Sequence, residues 1–199
     1  MILSKLELSV MDMKKLNIKD EYSIHQLVYS MFSGPDDEEM VRDFLYVKKH
    51  NYRKALSLLI LSHRNPKLPD YCQMTSRRIP ENYLMGDEYY FTIKTNPVRR
   101  SVKNGKLFPV VEHKDLVEWF SEKAEKAGML VDPNRIDLQD RGIEKVVKKE
   151  GEFIFNKVTF VGHCKVINRE AFIKTFENGF GRTRAFGFGL MILKPVDLM

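Results

Sequence analysis

The chain has 199 residues, 43% of them hydrophobic, with 33 Lys and Arg against 27 Asp and Glu and a net charge of +6. This composition fills a core, which excludes a disordered chain and leaves room for one large or two small domains. No run reaches the roughly 18 apolar residues of a membrane span, and no apolar block follows a basic N-terminus, so a soluble, cytoplasmic protein with no membrane partner is expected. The positive balance favours a polyanionic partner, because basic surface attracts phosphates before any specific contact forms.

Residues 2–10, ILSKLELSV, alternate apolar and polar with the period of a half-buried strand. The spacing of Ile24, Leu27, Val28 and Met31 then predicts a helix from Glu21 to Phe32, with Asp20 as N-cap and Gly34-Pro35 as its stop. Two strands follow, DFLYVKK at 43–49 and ALSLLILS at 55–62, joined by the polar turn HNYR. The proline-rich, polar stretch from His63 to Gly86 reads as a loop with at most a short helix, and EYYFTIKT, Glu88–Thr95, as a strand.

That order suggests a βαββαβ ferredoxin-like unit whose second helix is degraded. A second unit reads similarly after Asn96-Pro97. It has a strand at Lys106–Val111 and a helix at Lys114–Ala127, with Leu116, Val117, Phe120 and Ala124 on one face and Gly128 as its end. Arg135–Val147 is extended or mixed, and Glu152–Asn168 is a strand long enough to bend or to belong to a hairpin. A helix at Arg169–Asn178 and a closing strand from Leu190 complete it. The fold class is therefore α+β, two tandem ferredoxin-like (RRM-like) domains over 1–97 and 98–199.

Cys72 and Cys164 are isolated, and His25, His50, His63, His113 and His163 form no HxH or HExxH pair. Neither a disulfide framework nor a metal site is expected. His25 shares a helical face with Tyr22, one turn earlier. The pair is either a packed histidine at a domain edge or the centre of a nuclease. RNA carries its own nucleophile, the 2′-hydroxyl, so cleavage needs no metal once a base takes that proton and an acid protonates the departing 5′-oxygen. Histidine, titrating near neutrality, suits either task.

Two basic clusters, Lys94, Arg99, Arg100, Lys103 and Lys106, and Lys145, Lys148, Lys149 and Lys157, are either solvated faces or phosphate contacts. The stretch GFGRTRAFGFGLM, 179–191, lies between a helix and a strand, which is the wrong context for a dinucleotide-binding GxGxxG. It also lacks the Lys-Ser or Lys-Thr of a P-loop. What remains is a connection in which Gly179, Gly181, Gly187 and Gly189 permit close backbone approach and Arg182 and Arg184 supply charge. No aromatic pair stands at the spacing of RRM stacking motifs, which favours recognition of a stem by shape and charge.

An ordered set of pieces, the LSKLEL strand, Tyr22 and His25 as YxxH, KTNPVRR, VTFVGHCKV and the glycine loop before a final strand, resembles the CasE (Cse3) family of CRISPR repeat-RNA endoribonucleases of the type I-E Cascade complex. The likeness spans nearly the whole chain, with Val161 where the family often has glutamate. It implies two tandem ferredoxin-like domains and metal-independent cleavage of precursor CRISPR RNA at the 3′ base of the repeat stem-loop, with the product retained. It implies His25 and Tyr22 as catalytic residues. It implies Arg184 as a backbone contact and Lys148, Lys149 and Lys157 as approximate matches to groove contacts; Gly179, Gly181, Arg182, Gly187 and Gly189 of the same loop, with Lys94, Arg99 and Arg100 of the basic cluster, are the further RNA-binding candidates read from the residues. Partners would be repeat RNA and other Cascade subunits, with no cofactor and a monomer in isolation. The rival reading is a non-catalytic RNA-binding subunit of such a complex.

Overall fold

Alternation along the first strand decides the first sheet. In β1 (Ile2–Leu8), Ile2, Ser4, Leu6 and Leu8 are buried while Lys5 is exposed. Described residues of the computed structural model are 1–33, 42–49, 56–70, 72–148 and 151–196. The strand stops two residues earlier than its alternation suggests, because Ser9 caps a short helix α1 (Val10–Lys15). The Ser9 hydroxyl accepts from Asp12 N at 3.2 Å and the Asp12 carboxylate accepts from Ser9 N at 2.8 Å, a capping box in a segment with no expected element.

Helix α2 (Glu21–Ser30) buries Ile24, Leu27 and Val28, as its spacing requires. Strands β2 (Phe44–Lys49) and β3 (Leu56–Ser62) fall where expected. The Gly34-Pro35 stop and the HNYR turn lie outside the described residues. β4 (Gln73–Arg78) is a strand within the stretch read as a loop, and it completes the first sheet in the order β2-β3-β1-β4. All the pairings are antiparallel. This is the ferredoxin-like order, with irregular chain where the second helix would stand.

The strand expected to close this unit, β5 (Glu88–Thr95), belongs elsewhere. It pairs with strands near the C-terminus and lies inside the second sheet. A division between 97 and 98 would cut that sheet, and sheet membership changes between Arg78 and Glu88. After β5 come a two-stranded ribbon, β6 (Val98–Arg100) and β7 (Leu107–Pro109), helix α3 (His113–Lys126) and the short β8 (Met129–Val131). The long hairpin β9 (Asp137–Lys148) and β10 (Gly151–Val166), helix α4 (Arg169–Asn178) and β11 (Met191–Pro195) follow. The sheet runs β11-β5-β10-β8, with β9 paired to β10 beyond it. Its βαββαβ core is thus β5-α3-β8-β10-α4-β11, and β6, β7 and β9 are additions.

Two cores result. One lies between the first sheet and α2 and is built from residues such as Leu6, Leu8, Leu27, Val28, Leu58 and Ile60. The other lies under α3 and α4, where Phe91, Phe120, Phe160 and Phe172 are at most 1% exposed. Leu45, Val47 and Leu61 of the first sheet join this second core, so the units are packed on one another and not merely tethered. No helix among the described residues is long and apolar enough to cross a membrane.

Candidate active site and nucleic-acid interface

The start of α2 is fixed locally. The Asp20 carboxylate accepts from Ser23 N at 2.8 Å, and this backbone bond holds the carboxyl below its usual pKa. Glu21 of the first turn accepts from Lys48 of β2. With Ile24, Leu27 and Val28 committed to the core, Tyr22 and His25 are left half-buried at the rim. Their rings are stacked with centroids 5.9 Å apart.

The glycine-rich loop reaches this rim from the other unit. Phe180 N donates to Gly189 O at 2.7 Å and closes the loop at its neck, and Gly189 N donates to Lys94 O at 2.8 Å, tying it to β5. A β-carbon on Gly189 would meet Phe180 O at 2.5 Å, so no larger residue fits that neck. At the tip, a single 3-10 turn spans Arg184–Phe186 between left-handed residues, Thr183 at φ 63° and Gly187 at φ 76°. Gly187 also rests against the Tyr46 ring of β2, where a β-carbon would lie at 3.1 Å. The turn thereby aims a backbone carbonyl at the helix, and His25 Nδ1 lies 2.7 Å from Ala185 O. A carbonyl only accepts, so Nδ1 carries the hydrogen and the neutral ring keeps its lone pair on Nε2.

An aromatic column supports the imidazole. Its ring is stacked on Phe186 at 4.8 Å, and Phe186 is in turn stacked on Phe155 of β10 at 5.4 Å. Tyr29 lies 4.2 Å from it on the side of its own helix. Helix, loop and long hairpin therefore meet at one side chain.

Beside this column opens a cavity of about 960 Å³. Arg42, Arg182 and Arg184 line it together with Ile154, Phe155 and Phe186. Arg184 donates to Asn178 O, and burial followed by the positive charge of Arg42 pushes its pKa down. Three guanidinium groups around one apolar-floored cavity suit a phosphate backbone, which they can neutralise and hold in register. Thr183 accepts from Asn96 at 2.9 Å, and Asn96 accepts from the Asn156 amide at 3.1 Å, which pins the loop to the hairpin.

The expected site residues thus separate. Tyr22, His25, Arg182, Arg184 and the four loop glycines converge on one region. Lys94 is turned to Glu144 instead. It is 8% exposed, its Nζ lies 2.6 Å from the Glu144 carboxylate of β9, and it sits 4.5 Å above the Phe188 ring. Burial lowers its pKa, and the Glu144 charge opposes that shift. Arg99 turns to Glu118 and Glu122 of α3 at 3.5 and 3.7 Å, and Arg100 donates to Gly105 O within the ribbon turn. Lys157 pairs with Asp140 at 2.7 Å across the hairpin. Lys148 ends β9, opposite Gly151, and Lys149 lies outside the described residues. Sequence reasoning missed Arg42, Phe155, Phe186 and the Ala185 carbonyl. Among the described residues no three His, Cys, Asp or Glu side chains are gathered as a metal ion would need. The two thiols are unpaired, and burial pushes Cys164 up to about 12.

Comparison with known proteins agrees with this architecture. The model of the CRISPR associated protein family matches residues 1–195, and the chain belongs to that family. It is 24% identical over 191 residues to the CRISPR system Cascade subunit CasE of Escherichia coli (strain K12), covering 89% of this chain and 94% of that protein. Among solved structures it resembles the CRISPR endoribonuclease Cse3 bound to a 19 nt RNA, with a TM-score of 0.84 and 21% identity over 98% of this chain and 100% of that one. It also resembles Thermus thermophilus Cse3 bound to an RNA representing a pre-cleavage complex, with a TM-score of 0.82 and 19% identity over 98% of both chains.

Proposed function

We propose that this member of the CRISPR associated protein family is a metal-independent endoribonuclease that binds a CRISPR repeat stem-loop and cuts precursor CRISPR RNA at the 3′ base of the stem. The observation that carries the reading is the bond from His25 Nδ1 to Ala185 O, which joins the imidazole to the loop whose arginines line the cavity.

In the reaction Nε2 of His25 removes the proton of the 2′-hydroxyl. The 2′-oxygen attacks the adjacent phosphorus, the bond from phosphorus to the 5′-oxygen breaks, and that oxygen leaves with a proton from solvent, to which the imidazolium returns the one it took. The products are a 2′,3′-cyclic phosphate and a 5′-hydroxyl, and no water is consumed. The Ala185 carbonyl favours the imidazolium that forms, because the Nδ1 hydrogen bond strengthens as the ring gains charge. Tyr22, stacked one turn before His25, orients the 2′-hydroxyl or donates to the phosphate. Arg42, Arg182 and Arg184 hold the backbone in line.

Retention of the cut RNA and assembly with other Cascade subunits fit the likeness to CasE, and a transcript as substrate supports a cytoplasmic location. A repeat RNA with 2′-deoxyribose at the scissile nucleotide tests the chemistry. It should bind as the all-ribose RNA does and remain uncut. Cutting of the deoxy substrate would remove the 2′-hydroxyl, and with it the proposed role of His25, from the mechanism.

A further inference from the structure

The outer face of the second sheet carries an arrangement that the stem-loop site does not use. Along β5, Tyr89, Phe91 and Ile93 turn inward beneath the helices, so Tyr90 and Thr92 turn the other way. On β10, Phe160 and Cys164 turn inward and His163 turns outward. Tyr90 and His163 are direct cross-strand partners, and their rings meet edge to face with centroids 5.5 Å apart. Tyr90 is 44% exposed, unusual for a tyrosine in the middle of a central strand. No linear motif shows this pair, because its members are brought together by register alone.

Charge surrounds it. On the other side of Tyr90 its register partner is Lys194 of β11. Arg135, Lys194, Tyr90 and His163 line a shared concavity of about 340 Å³. Lys165, also exposed, follows His163 by two residues on the same strand. The nearby carboxylate of Glu88 lies 3.1 Å from His163 Nε2 and holds the imidazole upright against Tyr90. The result is an aromatic platform on central strands, rimmed by cations, in a chain of net charge +6.

From this we infer that the face centred on Tyr90 and His163 is a second RNA surface, which stacks one or two unpaired bases of the single-stranded segment flanking the stem. Aromatic side chains on an open sheet accept bases by their faces, which only unpaired bases present, while flanking Lys and Arg neutralise the connecting phosphates. The inference rests on the RNA-processing reading, but it places no demand on His25.

The test compares a stem-loop bearing its single-stranded flank, the same stem-loop without it, and a single-stranded oligonucleotide of the flank sequence. Wild type, Tyr90→Ala, Tyr90→Phe, His163→Ala and His25→Ala are measured for equilibrium binding and, on the flankless stem-loop, for cleavage. Tyr90→Ala should weaken binding of the oligonucleotide and of the flanked RNA by about tenfold. It should leave the affinity and cleavage of the flankless RNA at wild-type levels, which also shows that the variant is folded. Tyr90→Phe keeps the ring and should bind as wild type does, and His25→Ala should keep its single-strand affinity. Wild-type binding of every RNA by both Tyr90→Ala and His163→Ala overturns the inference. A Tyr90→Ala defect confined to assembly with protein subunits would make the face a protein interface and overturns it equally. Failure of wild type to cut the stem-loop would count against the nuclease reading alone, since the binding arms are read independently.

Discussion

His25 of the first unit and Ala185 of the second are 160 residues apart in sequence, yet the ring Nδ1 of one lies 2.7 Å from the backbone oxygen of the other. The proposed catalytic histidine therefore takes its tautomer from a loop that also carries Arg182 and Arg184, the arginines proposed to hold phosphate. In the proposed mechanism, substrate grip and proton transfer are joined through the three residues of this 3-10 turn.

Phe186 should matter for rate and not for binding. Its ring is held between His25 and Phe155, and an aromatic face also favours the imidazolium formed in the reaction. Phe186→Ala should lower the single-turnover cleavage rate about tenfold with RNA affinity within twofold of wild type, and Phe186→Tyr should restore the rate. A parallel loss of affinity would assign Phe186 to the RNA grip.

The loop glycines should differ in consequence. Gly189→Ala drives a β-carbon to within 2.5 Å of Phe180 O at φ 81°, and should destabilise the protein by more than about 2 kcal/mol in thermal unfolding. Gly181 has φ 75° but nothing within 4 Å, so its alanine variant should lose only about 1 kcal/mol.

Salt dependence of binding should sort the arginines. Arg182→Ala and Arg42→Ala should each weaken RNA binding and reduce the slope of log affinity against log salt by about 1. Arg184→Ala should do the same and also lower the melting temperature, because its guanidinium donates to Asn178 O at the end of α4.

Lys94 should behave as a structural cation. Lys94→Met leaves Glu144 charged and buried, with its Oε1 already lacking a hydrogen-bond partner, and should destabilise the fold by about 3–5 kcal/mol. Replacing both partners together, Lys94→Met with Glu144→Leu, should recover most of that loss. The double variant should also keep the wild-type salt slope in RNA binding.

Much of this architecture was legible in the sequence, and the exceptions have physical causes. The cap and apolar spacing of α2 identify the helix, and the strand at Glu88–Thr95 is evident from composition. Its sheet is not, because pairing with β10 and β11 is settled by partners some 65 to 105 residues away. The strand at Gln73–Arg78 was hidden for the opposite reason. It is an edge strand, mostly exposed, and its polar residues read as loop. Ser9 and Asp12 did announce α1, in a segment too polar to attract attention. A linear run of basic residues does not reveal that Lys94 itself faces Glu144. The Ala185 carbonyl could not be found at all, since a backbone oxygen leaves no mark on the residue that carries it.

The most direct measurement is single-turnover cleavage of the repeat stem-loop in the presence of chelator by wild type and by His25→Ala. Wild type should cut once, leaving a 5′-hydroxyl and a cyclic phosphate, while His25→Ala should bind with wild-type affinity and cut at least about a hundredfold more slowly. Cleavage by His25→Ala at the wild-type rate would contradict the assignment of His25 as the catalytic base.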